Sequence, residues 1–140
     1  MENSQPSIEP FLGVWELDPT QSNYEFGTPP QTGQYELVRE GDALAVIMDW
    51  RDAAGKDFHM VYYAHPDGVE HPYTDSPAVD AIVTTLVDTR TLDTVSKKDG
   101  SVIARGRRAL SEDGKTMFVT QSGKTPDGKP YNNYSVYHKA

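Results

Sequence analysis

Six turn marks punctuate this chain: Gly41-Asp42, Ala54-Gly55, Asp67-Gly68, Asp99-Gly100, Asp113-Gly114 and Asp127-Gly128. Within each half their glycines fall 13 or 14 residues apart. Between them lie runs rich in Val, Ile, Thr, Tyr and Phe. Asp-Gly supplies the positive φ angles that a tight hairpin needs, so such a pair between β-prone runs reads as a hairpin. Hairpin after hairpin is an antiparallel meander, and a long meander must cover or close its edges. The expected fold is therefore all-β: an up-and-down antiparallel barrel of eight to ten strands enclosing a cavity.

The expected strands cover residues 11–17, 33–39, 43–51, 56–65, 69–73, 79–87, 91–97, 101–110, 115–122 and 132–139. The sixth is ambiguous at its start, where Ser76-Pro77 suits a helix. The β-branched run Ile82-Val83-Thr84-Thr85-Leu86-Val87 favours a strand. The connection from Asp18 to Thr32 is too long for a hairpin. Asp18 as an N-cap and Pro19 in a first turn predict a short helix over 19–24, which Gly27-Thr28-Pro29-Pro30 ends. This connection is expected to lie over the open end as a lid, with Tyr24 and Phe26 covering the opening. Residues 1–9 read as a flexible leader and 10–140 as one barrel domain.

Composition fits such a fold. Only 36% of residues are hydrophobic, which a barrel tolerates because alternate strand residues face water. A net charge of −8 argues against nucleic acid or anionic membrane as a partner, since both need a basic face. Without cysteine there are no disulfides or thiolate metal sites. Met1 to Pro10 is polar and has no signal-peptide pattern, and no apolar run is long enough to span a membrane. A cytoplasmic monomer or homodimer is expected; a secreted or periplasmic protein would require that a signal peptide had been removed.

Alternation places side chains on two faces of each strand. Tyr35, Met48, Trp50, Met60 and Tyr62 share faces with apolar neighbours and are expected to line the cavity, with Trp15 at one end of it. Arg105 and Arg107 face one way and Arg108 the other. An inward Arg108 would suit a ligand carboxylate, because a guanidinium offers paired donors; outward arginines would meet Asp or Glu across the sheet. His65 and His71 flank the Asp67-Gly68 turn and could approach one another, but the spacing matches no metal-binding motif, so no metal or cofactor is expected. His138 on the last strand would suit haem, with nothing else in support. No Cys, G-x-S-x-G or Gly-rich phosphate loop is present. The expected function is therefore binding of a small hydrophobic or amphipathic molecule, as a carrier or sensor. One alternative is an isomerase- or cyclase-type enzyme, with Asp49, His59 or a tyrosine as acid or base in the cavity. The other is a non-catalytic interaction domain with a filled core.

Gly13-Val14-Trp15 resembles the Gly-x-Trp signature that opens many lipocalins. The chain is also similar to small bacterial lipocalin-like barrels of the calycin type, whose members mostly lack an assigned role. The similarity rests on Trp15 to Tyr24, on Asp67-Gly68 with His71-Pro72-Tyr73, on Arg107-Arg108, on Asp113-Gly114-Lys115 and on Val136-Tyr137. The resemblance implies that the Trp15 indole plugs the closed end of the barrel. Lipocalins often stack a late-strand Arg over that Trp; here Lys139 or His138 would have to serve. The lipocalin Thr-Asp-Tyr motif is absent, since Thr74-Asp75 lacks the Tyr. A count of ten strands is nearer the fatty-acid-binding-protein branch of these barrels than the eight-stranded lipocalins.

Overall fold

The computed structural model describes residues 7–140. A single-turn 3-10 helix, Glu9–Phe11, precedes ten strands. These are β1 (Gly13–Tyr24), β2 (Thr32–Glu40), β3 (Ala43–Arg51), β4 (Asp57–Ala64), β5 (Asp67–Ser76), β6 (Val79–Asp88), β7 (Thr91–Lys98), β8 (Ser101–Leu110), β9 (Thr116–Lys124) and β10 (Pro130–Lys139). The β-branched segment beginning at Val79 is a strand throughout. Among the described residues no helix is long and apolar enough to cross a membrane.

All ten strands form one antiparallel sheet in the order β4-β3-β2-β1-β10-β9-β8-β7-β6-β5. Each ladder joins strands consecutive in sequence except that between β1 and β10, which joins the two ends of the meander. The sheet curls into a barrel left open along one seam. There β4 and β5, consecutive in the chain, share no ladder, so the expected full closure is not reached. At their junction Pro66 has no N–H to offer, and the Asp67 N–H turns back to the His65 carbonyl at 2.7 Å. Side chains meet across the seam instead: Tyr62 lies edge-on to Tyr73 at 6.4 Å, and the His65 and His71 rings stack at 4.3 Å.

One end of the barrel is plugged. Trp15 and Phe11 are fully buried there, packed with Leu37, Leu44, Leu92 and Met117. The Trp15 indole donates to the Phe11 carbonyl at 2.9 Å. Lys139 takes the place of the stacking arginine: its Nζ lies 5.1 Å from the centre of the Trp15 ring and donates to the Leu12 carbonyl at 2.9 Å. Gly13 makes room for this contact. Its φ is +124°, and a Cβ there would meet the Lys139 Cε at 3.1 Å. Two residues of the expected leader are tied to the barrel: Ile8 is buried in this core and Glu9 pairs with Arg39 at 2.6 Å. Residues 1–6 of the expected leader lie outside the described residues.

The helix expected over 19–24 does not form. β1 runs on to Tyr24 along β10, with a register shift between Asp18 and Asn23. Asp18 holds this bulge. Its carboxylate accepts from the Thr20 hydroxyl at 2.6 Å, the Gln21 amide at 2.8 Å and the Thr20 N–H at 3.1 Å, and lies 2.9 Å from His138 Nε2. The capping chemistry read from the sequence is real, but the β10 edge turns it to a bulge rather than a helix. Pro19, lacking an N–H, costs no ladder bond within the bulge. The Thr20 hydroxyl above all, then Gln21 and His138, hold the Asp18 carboxyl well below the usual carboxylate range.

Two outcomes follow from these contacts. Lys139→Met should cost about 1–2 kcal/mol in urea unfolding, Lys139→Arg should retain most of the stability, and Trp15→Ala should cost about 3–5 kcal/mol. Asp18→Ala should lower the melting temperature most at neutral pH. A carboxylate with a depressed pKa contributes its full stability above its unfolded value and loses it as pH falls further, so the gap between wild type and variant should narrow below about pH 4.

Candidate functional site

Above the plug lies a cavity of about 580 Å³. The period of two in the strands decides what lines it. Cross-strand pairing aligns Trp15, Tyr35, Met48 and Met60 in one inward row over β1 to β4. A second row pairs Leu37, Val46 and Tyr62, and a third pairs Gly33, Trp50 and Phe58 nearer the mouth. Trp50 and Phe58 stack at 5.2 Å. Of the residues expected to line the cavity, Tyr35, Met48, Trp50, Met60, Tyr62 and Arg108 do so. Trp15 does not: its row runs into the floor, where it is sealed beneath the cavity as part of the plug.

The lid residues separate. Tyr24 is a wall residue of β1 and lines the cavity. Phe26 is 43% exposed, packs on Tyr131 at 5.2 Å and is not among the residues lining the cavity. Asn133 fixes this connection by accepting from the N–H groups of Glu25 and Phe26 and donating to the Phe26 carbonyl. The segment borders the cavity through Thr28 and Pro30.

Arg108 dominates the interior. Its guanidinium reaches from β8 to 4.9 Å from the Tyr35 ring on β2, crossing the barrel, since β9, β10 and β1 separate those strands in the sheet. Tyr62 flanks it from β4. Burial works against its charge; the electrostatics of Tyr35 and Tyr62, and its hydrogen bonds to both, offset this and hold it above the usual arginine value. No carboxylate lies within ion-pair distance of Arg108 among the described residues, and its Nε is buried without a hydrogen-bond partner. The neighbouring phenols are poised as donors. Burial, then the adjacent Tyr35, raises the pKa of Tyr24 and of Tyr137, whose ring lies 4.7 Å from that of Tyr35. A guanidinium among tyrosine hydroxyls, with no carboxylate beside it among the described residues, has paired donors of the kind that suit an anionic group.

The other arginines behave as surface residues. Arg107 forms a two-pronged pair with Asp93 on the outer face, at 2.7 Å for each contact, and Arg105 is exposed. Asp49 and His59 pair at 2.6 Å on the strand face opposite Met48 and Met60, with Asp49 bordering the cavity at its strand. His138 is exposed beside Asp18 and unsuited to haem. His71 is 2.9 Å from Asp67, and no group of three or more metal-ligating side chains occurs among the described residues.

Several wall residues were not singled out from sequence: Tyr73, Ile82, Thr94, Ser96, Ala104, Gly106 and Tyr137. Alternation from Arg108 points to Gly106 and Ala104, and alternation from Lys139 points to Tyr137. The small residues among them carry no hydrophobic signal and so drew no attention.

No protein-family model matches this sequence, and no curated protein matches it. Its structure is similar to that of zebrafish ileal bile acid-binding protein complexed with cholic acid, with a TM-score of 0.54 over 94% of this chain and 99% of that chain. Sequence identity is 12%, so the likeness is one of fold: the ten-stranded, fatty-acid-binding-protein-like barrel.

Proposed function

We propose that this barrel binds a small amphipathic molecule whose anionic head, a carboxylate or similar group, meets Arg108 and whose apolar body lies against β2, β3 and β4. The observation that carries this reading is the Arg108 guanidinium inside the cavity, which has tyrosine neighbours but no carboxylate within ion-pair distance among the described residues, and whose Nε has no hydrogen-bond partner. A charge held inside the barrel without a counter-ion is costly, and an incoming anion would supply what the fold leaves out. Met48, Trp50 and Met60 offer apolar surface above it. The zebrafish protein of the same fold is complexed with an amphipathic acid, which agrees with this reading. Of the catalytic alternative's candidates, Asp49 and His59 lie on the strand face opposite Met48 and Met60, and tyrosines line the cavity.

Tryptophan fluorescence titrated with dodecanoate and with dodecanol tests the proposal. Dodecanoate should bind more tightly. Arg108→Met should weaken it by about 10- to 100-fold, the worth of a charged hydrogen bond, and leave dodecanol nearly unchanged. The same variant should melt at the same temperature or higher, because an interior charge with no counter-ion has been replaced by an apolar side chain. Equal affinity of wild type and Arg108→Met for dodecanoate would overturn the reading.

A further inference from the structure

Three glycines of this sheet, Gly33, Gly106 and Gly123, have no positive φ. Two are accounted for by close approach. A Cβ at Gly33 would meet the Leu17 Cβ at 3.3 Å and the Tyr137 hydroxyl at 3.4 Å, and one at Gly123 would meet the Tyr131 hydroxyl at 3.0 Å and the Ile103 carbonyl at 3.1 Å. Gly106 has no such reason. A Cβ there would meet only the Thr120 carbonyl, at an ordinary 3.7 Å. Nor is it at a bulge: it pairs in regular register with Thr94 on one side and Gln121 on the other. A glycine in a strand interior weakens the strand and often marks a bulge, a tight bend, or a place where a ligand or another backbone comes close; here neither a bulge nor a crowding backbone accounts for it.

Its position fits that role. Gly106 shares the inward face of β8 with Arg108 and lies about 7 Å from it along the strand, toward the mouth. Ala104 follows on the same face, and the β7 residues paired with Gly106 and Ala104 are Thr94 and Ser96. Gly106 and three small side chains thus make a low wall next to the buried, unpartnered Nε of Arg108. The facing strands carry Met48, Trp50, Met60 and Tyr62. A low wall opposite aromatic and thioether groups forms a slot rather than a tunnel. A flexible acyl chain can bend around a methyl or isopropyl group; a rigid ring system cannot.

We propose that Gly106 is a specificity-determining position, and that it admits a rigid, ring-bearing organic anion laid flat on β8 with its acidic group at Arg108. The inference rests on the anion-binding reading of the cavity and deepens it by naming the ligand class.

The test compares pyrenebutanoate, a rigid fused-ring carboxylate, with dodecanoate on wild type, Gly106→Ala, Gly106→Val and Arg108→Met, by calorimetry and thermal melting. Wild type should bind pyrenebutanoate more tightly than dodecanoate. Gly106→Val should weaken pyrenebutanoate by about tenfold or more, the scale on which a pocket rejects added methyl groups, and leave dodecanoate within about threefold. Gly106→Ala should keep or raise the melting temperature, so its smaller loss of pyrenebutanoate affinity is read on an intact fold. Tighter wild-type binding of dodecanoate would overturn the inference, as would unchanged pyrenebutanoate binding in both Gly106 variants. If in either case Arg108→Met still weakens dodecanoate, the anion-binding reading stands and only the ring-slot inference falls. If neither acid binds wild type, both fall.

Discussion

The contact on which the rest of the structure depends is that of Lys139 with Trp15 and the Leu12 carbonyl. The β1–β10 ladder converts a meander into a barrel, and this contact anchors its end. A cation over an indole face is favourable, and here the ammonium also satisfies a carbonyl just ahead of β1. The glycine two residues before the tryptophan belongs to the same arrangement, since the lysine stem lies where its side chain would be. The Gly-x-Trp pattern is thus a three-part device whose third part is at the other end of the chain. With this floor sealed, the space above it becomes a cavity with one mouth.

Within that cavity the fold makes a concession. Arg108 crosses the interior to aromatic faces, and no carboxylate of the described residues balances it. Phenols soften the cost, because a cation–π contact and neutral hydroxyls stabilise the charge without cancelling it. An internal ion pair would leave nothing for a ligand to do. Stability and binding capacity pull in opposite directions at this residue, as they do at sites where a protein keeps polar groups unsatisfied.

Much of this was legible in the sequence, and the parts that were not share a cause. The turn glycines and β-branched runs placed the strands, because local backbone preference and the period of two act residue by residue. Alternation separated Arg108 from Arg105 and Arg107, and Lys139 was one of two residues expected to stand over Trp15. What failed depended on distant partners. Asp18-Pro19 carries helix-start chemistry, and only the β10 edge turned it into a bulge. Trp15 shares its face with cavity residues, but its depth along the barrel axis puts it in the floor, and alternation says nothing about depth. Phe26 was drawn outward by Tyr131, more than a hundred residues away. Gly106 escaped notice because a missing side chain leaves no apolar mark.

The topology also bears on how the chain reaches its native state. Apart from β1 with β10, each ladder joins consecutive strands and closes only a short loop. Lys139 and Leu12 are 127 residues apart. The chain-entropy cost of closure rises with loop length, and it falls almost wholly on this one pairing unless the intervening hairpins have already shortened the effective loop. The unbonded junction of β4 and β5 makes such shortening less complete, because it divides the meander into two arms that must each be ordered before their far ends can meet. Ring closure is thus the one non-local strand pairing of the sheet, and the lysine–tryptophan contact is the latch that rewards it.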